Sequence, residues 1–242
     1  MASQKFPVAL LACVLAPAAS AQQITFSFAS DSDSNDPTFV GSSDTFGNAP
    51  SAEPDFSLLV DDGNGPLPTL EFADLLFMAD FSITSFGKTM IAPGLFLHNY
   101  SVDGVFALSD AGSNNILEAD VAGGVMSIVG GENSWATSGS IITSDIDMSE
   151  ITYRWGGMDF PDYLIFNGQE SAGDDLDDGV FTLTFLADSS SDGVVELDDN
   201  GLPVEEWTAE ASFSGSTRSL IPTPGAVAMI GLGGLLGAVR RR

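Results

Sequence analysis

Asp188, Ser190, Asp192, Glu196 and Asp199 occupy positions 1, 3, 5, 9 and 12 of a loop that has Gly193 at position 6 and apolar Val195 at position 8. A hard divalent cation needs several oxygens converging around a tight glycine turn, and this spacing is close to that of an EF-hand-type calcium loop. Calcium is therefore the sharpest cofactor expectation. The loop departs from the pattern at Ser190, where an acid is usual, and at Asp199, which replaces a bidentate Glu. Its flanks also read as strands, not helices. The competing reading is a solvated acidic hairpin loop. Residues 174–179 (Asp-Asp-Leu-Asp-Asp-Gly) and 31–36 (Asp-Ser-Asp-Ser-Asn-Asp) are weaker cation candidates and read first as solvated turns.

Catalytic chemistry finds little footing, and no catalytic residue is assigned. His98 is the single histidine, so multi-histidine metal centres are excluded, and no serine sits in a Gly-x-Ser-x-Gly elbow. Within Leu97-His98-Asn99-Tyr100 it reads as an ordinary loop or strand-end histidine. Acids are abundant enough to supply a glycosidase pair, but abundance without arrangement carries no argument. Trp135, Tyr153, Trp155 and Trp207 would make either a sugar-stacking platform or part of a core, and in a sandwich such residues commonly go to the core.

The elements that must hold these residues are strands. Ile24, Phe26 and Phe28 alternate with Thr25 and Ser27; Leu70 and Phe72 begin a run that continues irregularly through Leu75, Phe77, Ala79, Phe81 and Ile83. Residues 105–108, 125–129, 151–155 and 181–185 are further strand candidates, as is the alternation Trp207, Ala209, Ala211, Phe213. Clusters of Asp, Gly, Asn and Ser separate them, including Asp-rich turns at Asp61, Asp177 and Asp198. No helical period is sustained in the body. The expectation is an all-β, antiparallel sandwich of jelly-roll type over 22–219, with a Ser/Asp-rich loop near 31–52 and a linker at 215–220.

All 34 acids lie in that body, against Lys88, Arg154 and Arg218, so its formal charge is −31. Such a surface repels nucleic acid and anionic lipid, which sets nucleic-acid binding aside. Hydrophobic residues make up 44% of the chain, ample for a core, so this is not a disordered acidic polymer.

Residues 1–21 read as a signal peptide: basic Lys5, an apolar run over 6–15, and Ala19-Ser20-Ala21 as the small-x-small pattern for signal peptidase, with cleavage before Gln22. Leu10-Leu11-Ala12-Cys13 resembles a lipobox, but cleavage there would leave a very short apolar region. Cys13 is the only cysteine, so the mature chain is expected to have no disulfide. At the other end, Pro222-Thr223-Pro224-Gly225 precedes an apolar run over 226–239 and then Arg240, Arg241 and Arg242. Arginines after an apolar run mark a cytoplasmic end. The 14-residue run spans only about 21 Å as a helix, short of a ~30 Å hydrocarbon core, which suits a temporary anchor.

This tail, 220–242, resembles the PEP-CTERM sorting signal, with Thr223 where that motif usually has Glu. The resemblance implies transient insertion in the inner membrane, processing by an exosortase, and association with exopolysaccharide, biofilm or the cell envelope. The expected function is thus that of an exported, non-catalytic envelope or matrix protein at the cell surface or outside it. A calcium-dependent carbohydrate-binding module is the second reading, and a secreted polysaccharide-active enzyme the third.

Overall fold

Ile24, Phe26 and Phe28 point into the core while Thr25 and Ala29 face solvent, and this two-residue period recurs along most of the longer strands. The computed structural model describes residues 23–29, 37–49, 56–61, 70–143, 149–156, 177–188 and 193–218. Its elements are β1 (Gln23–Ala29), β2 (Phe39–Ser42), β3 (Thr45–Asn48), β4 (Phe56–Asp61), β5 (Leu70–Ala92), β6 (Leu95–Ser109), β7 (Asn115–Gly131), β8 (Ser134–Thr143), β9 (Glu150–Trp155), β10 (Asp178–Asp188) and β11 (Trp207–Arg218). Among the described residues there is no helix, and every strand pair is antiparallel, as expected. The signal peptide with Ala19, Ala21 and Gln22, and the tail with Pro222 to Gly225 and Arg240 to Arg242, lie outside the described residues.

Eight strands form a meander in which β1, β4, β5, β6, β7, β8, β10 and β11 each pair with the next, and β11 pairs back onto β1. The ladder therefore closes on itself. The β2–β3 hairpin bridges the outer parts of β11 and β5, and β9 pairs with β7. A jelly roll would join distant strands by Greek-key crossings; the eight strands of this ring instead follow one another in chain order, with β2, β3 and β9 set outside it, so the jelly-roll order is not what the ladder shows. An eight-stranded closure leaves an interior that side chains just fill. Phenylalanine fills it: the Phe28 ring centroid lies 6.2 Å from Phe56, 5.6 Å from Phe77, 5.7 Å from Phe106, 6.0 Å from Phe181 and 5.1 Å from Phe213. One ring thus touches five other strands. Outward positions on β1, β10 and β11 include Thr25, Thr182, Ser212 and Ser214, beside the exposed Phe185 of β10.

Two sequence expectations change. Residues 39–48, read as part of a loop, form β2 and β3, because Phe39 and Phe46 enter the core and the backbone pairs with β11 and β5. Residues 215–218, read as linker, continue β11 and pair with β1 at Phe26–Gly215 through Gln23–Arg218. The close approach at Gly41 is specific: a Cβ there would sit 2.3 Å from the Trp207 ring, so only glycine lets that indole lie flat on β2. The irregular apolar run of β5 has a physical cause. Phe72 pairs with Leu58 and Leu75 with Phe56, leaving two residues opposite one, and Asp74 takes φ 57° in this bulge. The inward parity shifts there from even to odd positions.

Candidate ligand cleft

Three segments converge on an open cleft of about 330 Å³: Ser85, Gly87, Lys88 and His98 from the β5–β6 hairpin, Glu132 and Asn133 from the β7–β8 turn, and Leu197 to Gly201 from the segment before β11. The β5–β6 register sets Lys88 opposite His98, so both side chains lie on the face that looks into the cleft. The segment after β10 is pinned onto the β7–β8 turn by backbone bonds. Trp135 N donates to Val195 O at 2.9 Å, and Leu197 N donates to Asn133 O at 3.0 Å.

Asp198 organises the far wall. Its Oδ1 accepts from the backbone of Asn200 and Leu202, each at 2.9 Å, and its Oδ2 accepts from Asn200 Nδ2 at 3.0 Å. These bonds, led by that from Leu202, hold its carboxyl below the usual carboxylate range. Gly201 completes the turn at φ 80°. Beneath it, Tyr100 Oη donates to Gly201 O at 2.7 Å and accepts from Trp135 Nε1 at 2.8 Å. Burial pushes the Tyr100 hydroxyl up to about 12, against the lowering effect of the Trp135 bond. Lys88 Nζ closes one end, donating to Glu132 O at 2.6 Å and Asn133 Oδ1 at 3.0 Å, with the Glu132 carboxylate 3.8 Å away. His98 is buried, with Nε2 2.8 Å from Gly131 O; in the tautomer that donates this bond, Nδ1 is the acceptor.

The cleft therefore offers amides from Asn133 and Asn200, a hydroxyl from Ser85, one ammonium and the carboxylates of Glu132, Asp198 and Asp199. Such a lining suits a ligand rich in hydroxyls. Its excess of carboxylate over ammonium favours a neutral or amine-bearing one.

Three of the five residues expected from the loop spacing fall within the described residues. Asp188 ends β10, Glu196 bridges to Ser134, and exposed Asp199 lines the cleft beside Asp198, while Ser190 and Asp192 lie outside the described residues. Among the described residues, no three His, Cys, Asp or Glu side chains form a metal-sized group. Of the Asp-rich turns, only Asp198 makes one within the described residues; Asp177 is buried ahead of β10, and Asp178 O accepts from Tyr153 Oη at 2.6 Å. Residues 31–36 and 174–176 lie outside the described residues. Trp135, Tyr153, Trp155 and Trp207 are all buried, so none offers a face to a sugar. Arg154 is engaged by Glu118 at 2.5 Å and Asp120 at 2.7 Å, which ties β9 to β7.

Lys88, Glu132, Asn133 and Gly201 carry no motif. One signal is visible: between Asp80 and Asp103 the chain has no acid, the longest such gap from Asp31 to Glu210, and Lys88 and His98 both fall in it. No family model, curated protein or solved structure matches this chain.

Proposed function

We propose that the chain is an exported, non-catalytic protein of the cell envelope or extracellular matrix, whose sandwich-like β body holds exopolysaccharide in the cleft between the β5–β6 hairpin and the Asp198 turn. On this reading signal peptidase cuts before Gln22. An exosortase-type enzyme acts at Pro222, Thr223, Pro224 and Gly225 while the apolar run sits in the inner membrane. The observation that carries the binding reading is the cleft lining: three carboxylates, two amides and one ammonium around an open volume of about 330 Å³. A body at −31 disfavours uronate polymers, so the ligand class is a neutral or amine-bearing polysaccharide.

Calorimetric titration of the full chain with neutral, amine-bearing and uronate polysaccharides tests this. Binding of the first or second class, weakened by Asn133→Ala, supports it; binding of none, or of uronates best, overturns it. Mass spectrometry of the mature protein tests the sorting reading. An intact arginine tail in cells that carry an exosortase would count against it.

A second reading adds calcium, because Asp199, the twelfth position of the loop begun at Asp188, lines the same cleft. It expects a melting temperature that falls with EDTA and with Asp188→Ala. Identical melts with and without calcium would remove it.

A further inference from the structure

The chain contains three Asn-Gly pairs, at 64–65, 167–168 and 200–201, and the third lies within the described residues. An asparagine before glycine is especially open to spontaneous loss of its side-chain amide, because no Cβ shields the next backbone nitrogen. Here the fold cannot give the glycine up. Gly201 sits at φ 80°, where a side chain is strained, and a Cβ on it would sit 3.0 Å from Ser85 Oγ. Asn200 is exposed in the cleft wall, so water reaches it. A labile pair is thus built into the turn that walls the cleft.

Deamidation needs a free nucleophile and a free leaving group. Gly201 N must give up its proton and attack Asn200 Cγ, closing a succinimide ring, while the Cγ–Nδ2 bond breaks and ammonia carries that proton away. Water then opens the ring at either of its N–C bonds. Breaking the bond to Cγ leaves aspartate; breaking the bond to the main-chain carbonyl leaves isoaspartate, with the chain rerouted through Cγ. Asp198 holds both reacting nitrogens. Gly201 N donates to Asp198 O at 2.9 Å, the bond that closes a β-turn, and Asn200 Nδ2 donates to Asp198 Oδ2 at 3.0 Å. Asp198 Oδ1 fixes the backbone on either side by accepting from Asn200 N and Leu202 N.

We propose that Asn200-Gly201 is a latent deamidation site in the cleft wall, held shut by Asp198, and that its conversion releases the turn. Aspartate at 200 would set a second carboxylate against Asp198 Oδ2, where an amide now donates, and like charges so close oppose each other's ionisation. Isoaspartate lengthens the backbone between the Asn200 Cα and Gly201 N, which carries Gly201 O away from Tyr100 Oη. Water is the sole co-reactant and ammonia departs, so the change runs one way. It acts as a timer on the cleft wall.

Peptide mapping by mass spectrometry reads conversion at Asn200 directly, with the full chain aged at mildly alkaline pH either folded or in guanidinium chloride. The expected result is conversion at least ~10-fold slower in the folded chain, the scale of one hydrogen bond to a charged group. Asp198→Asn keeps an oxygen for the backbone amides but meets Asn200 Nδ2 with a donor, so it should recover most of that factor. Asp198→Ala, which also loosens the turn, should recover all of it. A cooperative thermal melt for each variant shows that the body is folded. Hydrogen exchange at the Leu202 amide reads the release, and Asn200→Asp is expected to speed it by ~10-fold or more. Equal conversion of Asn200 in folded and unfolded chains, or Asp198→Asn no faster than wild type, overturns the proposal. So does unchanged Leu202 exchange in Asn200→Asp. No readout uses a ligand, so the outcome is independent of what the cleft binds.

Discussion

Tyr100 and Gly201 are 101 residues apart in the chain, yet the hydroxyl of the first donates to the carbonyl of the second at 2.7 Å. That bond is the floor of the cleft. It couples the strand that carries His98 to the turn that Asp198 builds, and Trp135 completes it by donating to the same hydroxyl.

Tyr100→Phe removes one donor from Gly201 and the acceptor of Trp135 Nε1. A loss of about 1–3 kcal/mol in urea unfolding is expected, the scale for stranding buried polar partners. Polysaccharide affinity should fall with it.

The same tyrosine predicts an alkaline limit. Its hydroxyl is raised to about 12 in the fold from an ordinary value of 10.0, and burial also raises Tyr153. The folded state thus keeps protons that the unfolded chain releases. The stabilisation is full below pH 10 and is lost as pH climbs from 10 towards 12 and beyond. Melting temperature measured across that range should fall, with a shallower slope in Tyr100→Phe.

Asp198 has the opposite sign. Its carboxyl titrates below the ordinary 3.8, so the stability it contributes is present above that value and is lost as pH falls through the lower, folded one. Asp198→Ala should lower the melting temperature at neutral pH, and the gap to wild type should narrow in strong acid. A gap that persists unchanged there would mean that the carboxylate is not what holds the turn.

At the centre of the barrel, Phe28→Ala would open a cavity faced by rings from five strands and cost about 3–5 kcal/mol. Gly41→Ala should cost about 1–3 kcal/mol for a different reason, overpacking against Trp207. Urea midpoints distinguish neither mechanism, but tryptophan fluorescence does: only Gly41→Ala pushes directly on an indole.

Much of the fold is legible where side chains alternate. Ile24 to Phe28 and Trp207 to Phe213 read as strands because their inward positions are large and apolar. The shift from Leu70 and Phe72 to Leu75 and Phe77 is itself readable as a bulge, since a parity change within one strand needs an extra residue. What was not legible rests on distant partners. Residues 215–218 are small and polar, and they become strand because β1 lies alongside; β2 and β3 hold few apolar residues and depend on β11 and β5. The cleft was less legible still, because Lys88 meets Glu132 only through a register 44 residues long. A loop motif can be read locally, whereas a wall made by three hairpins cannot.

The seam between β1 and β11, where Gln23 faces Arg218, also sets an order of events. A chain made or exported from its N-terminus delivers β1 first and β11 last. β4 can pair with β1 early, but the other edge of β1 must stay open until almost the whole body has emerged. The phenylalanines beneath it stay unshielded for as long. Closing that seam is the step most exposed to misassembly, and the terminal strand works as the latch of the whole barrel.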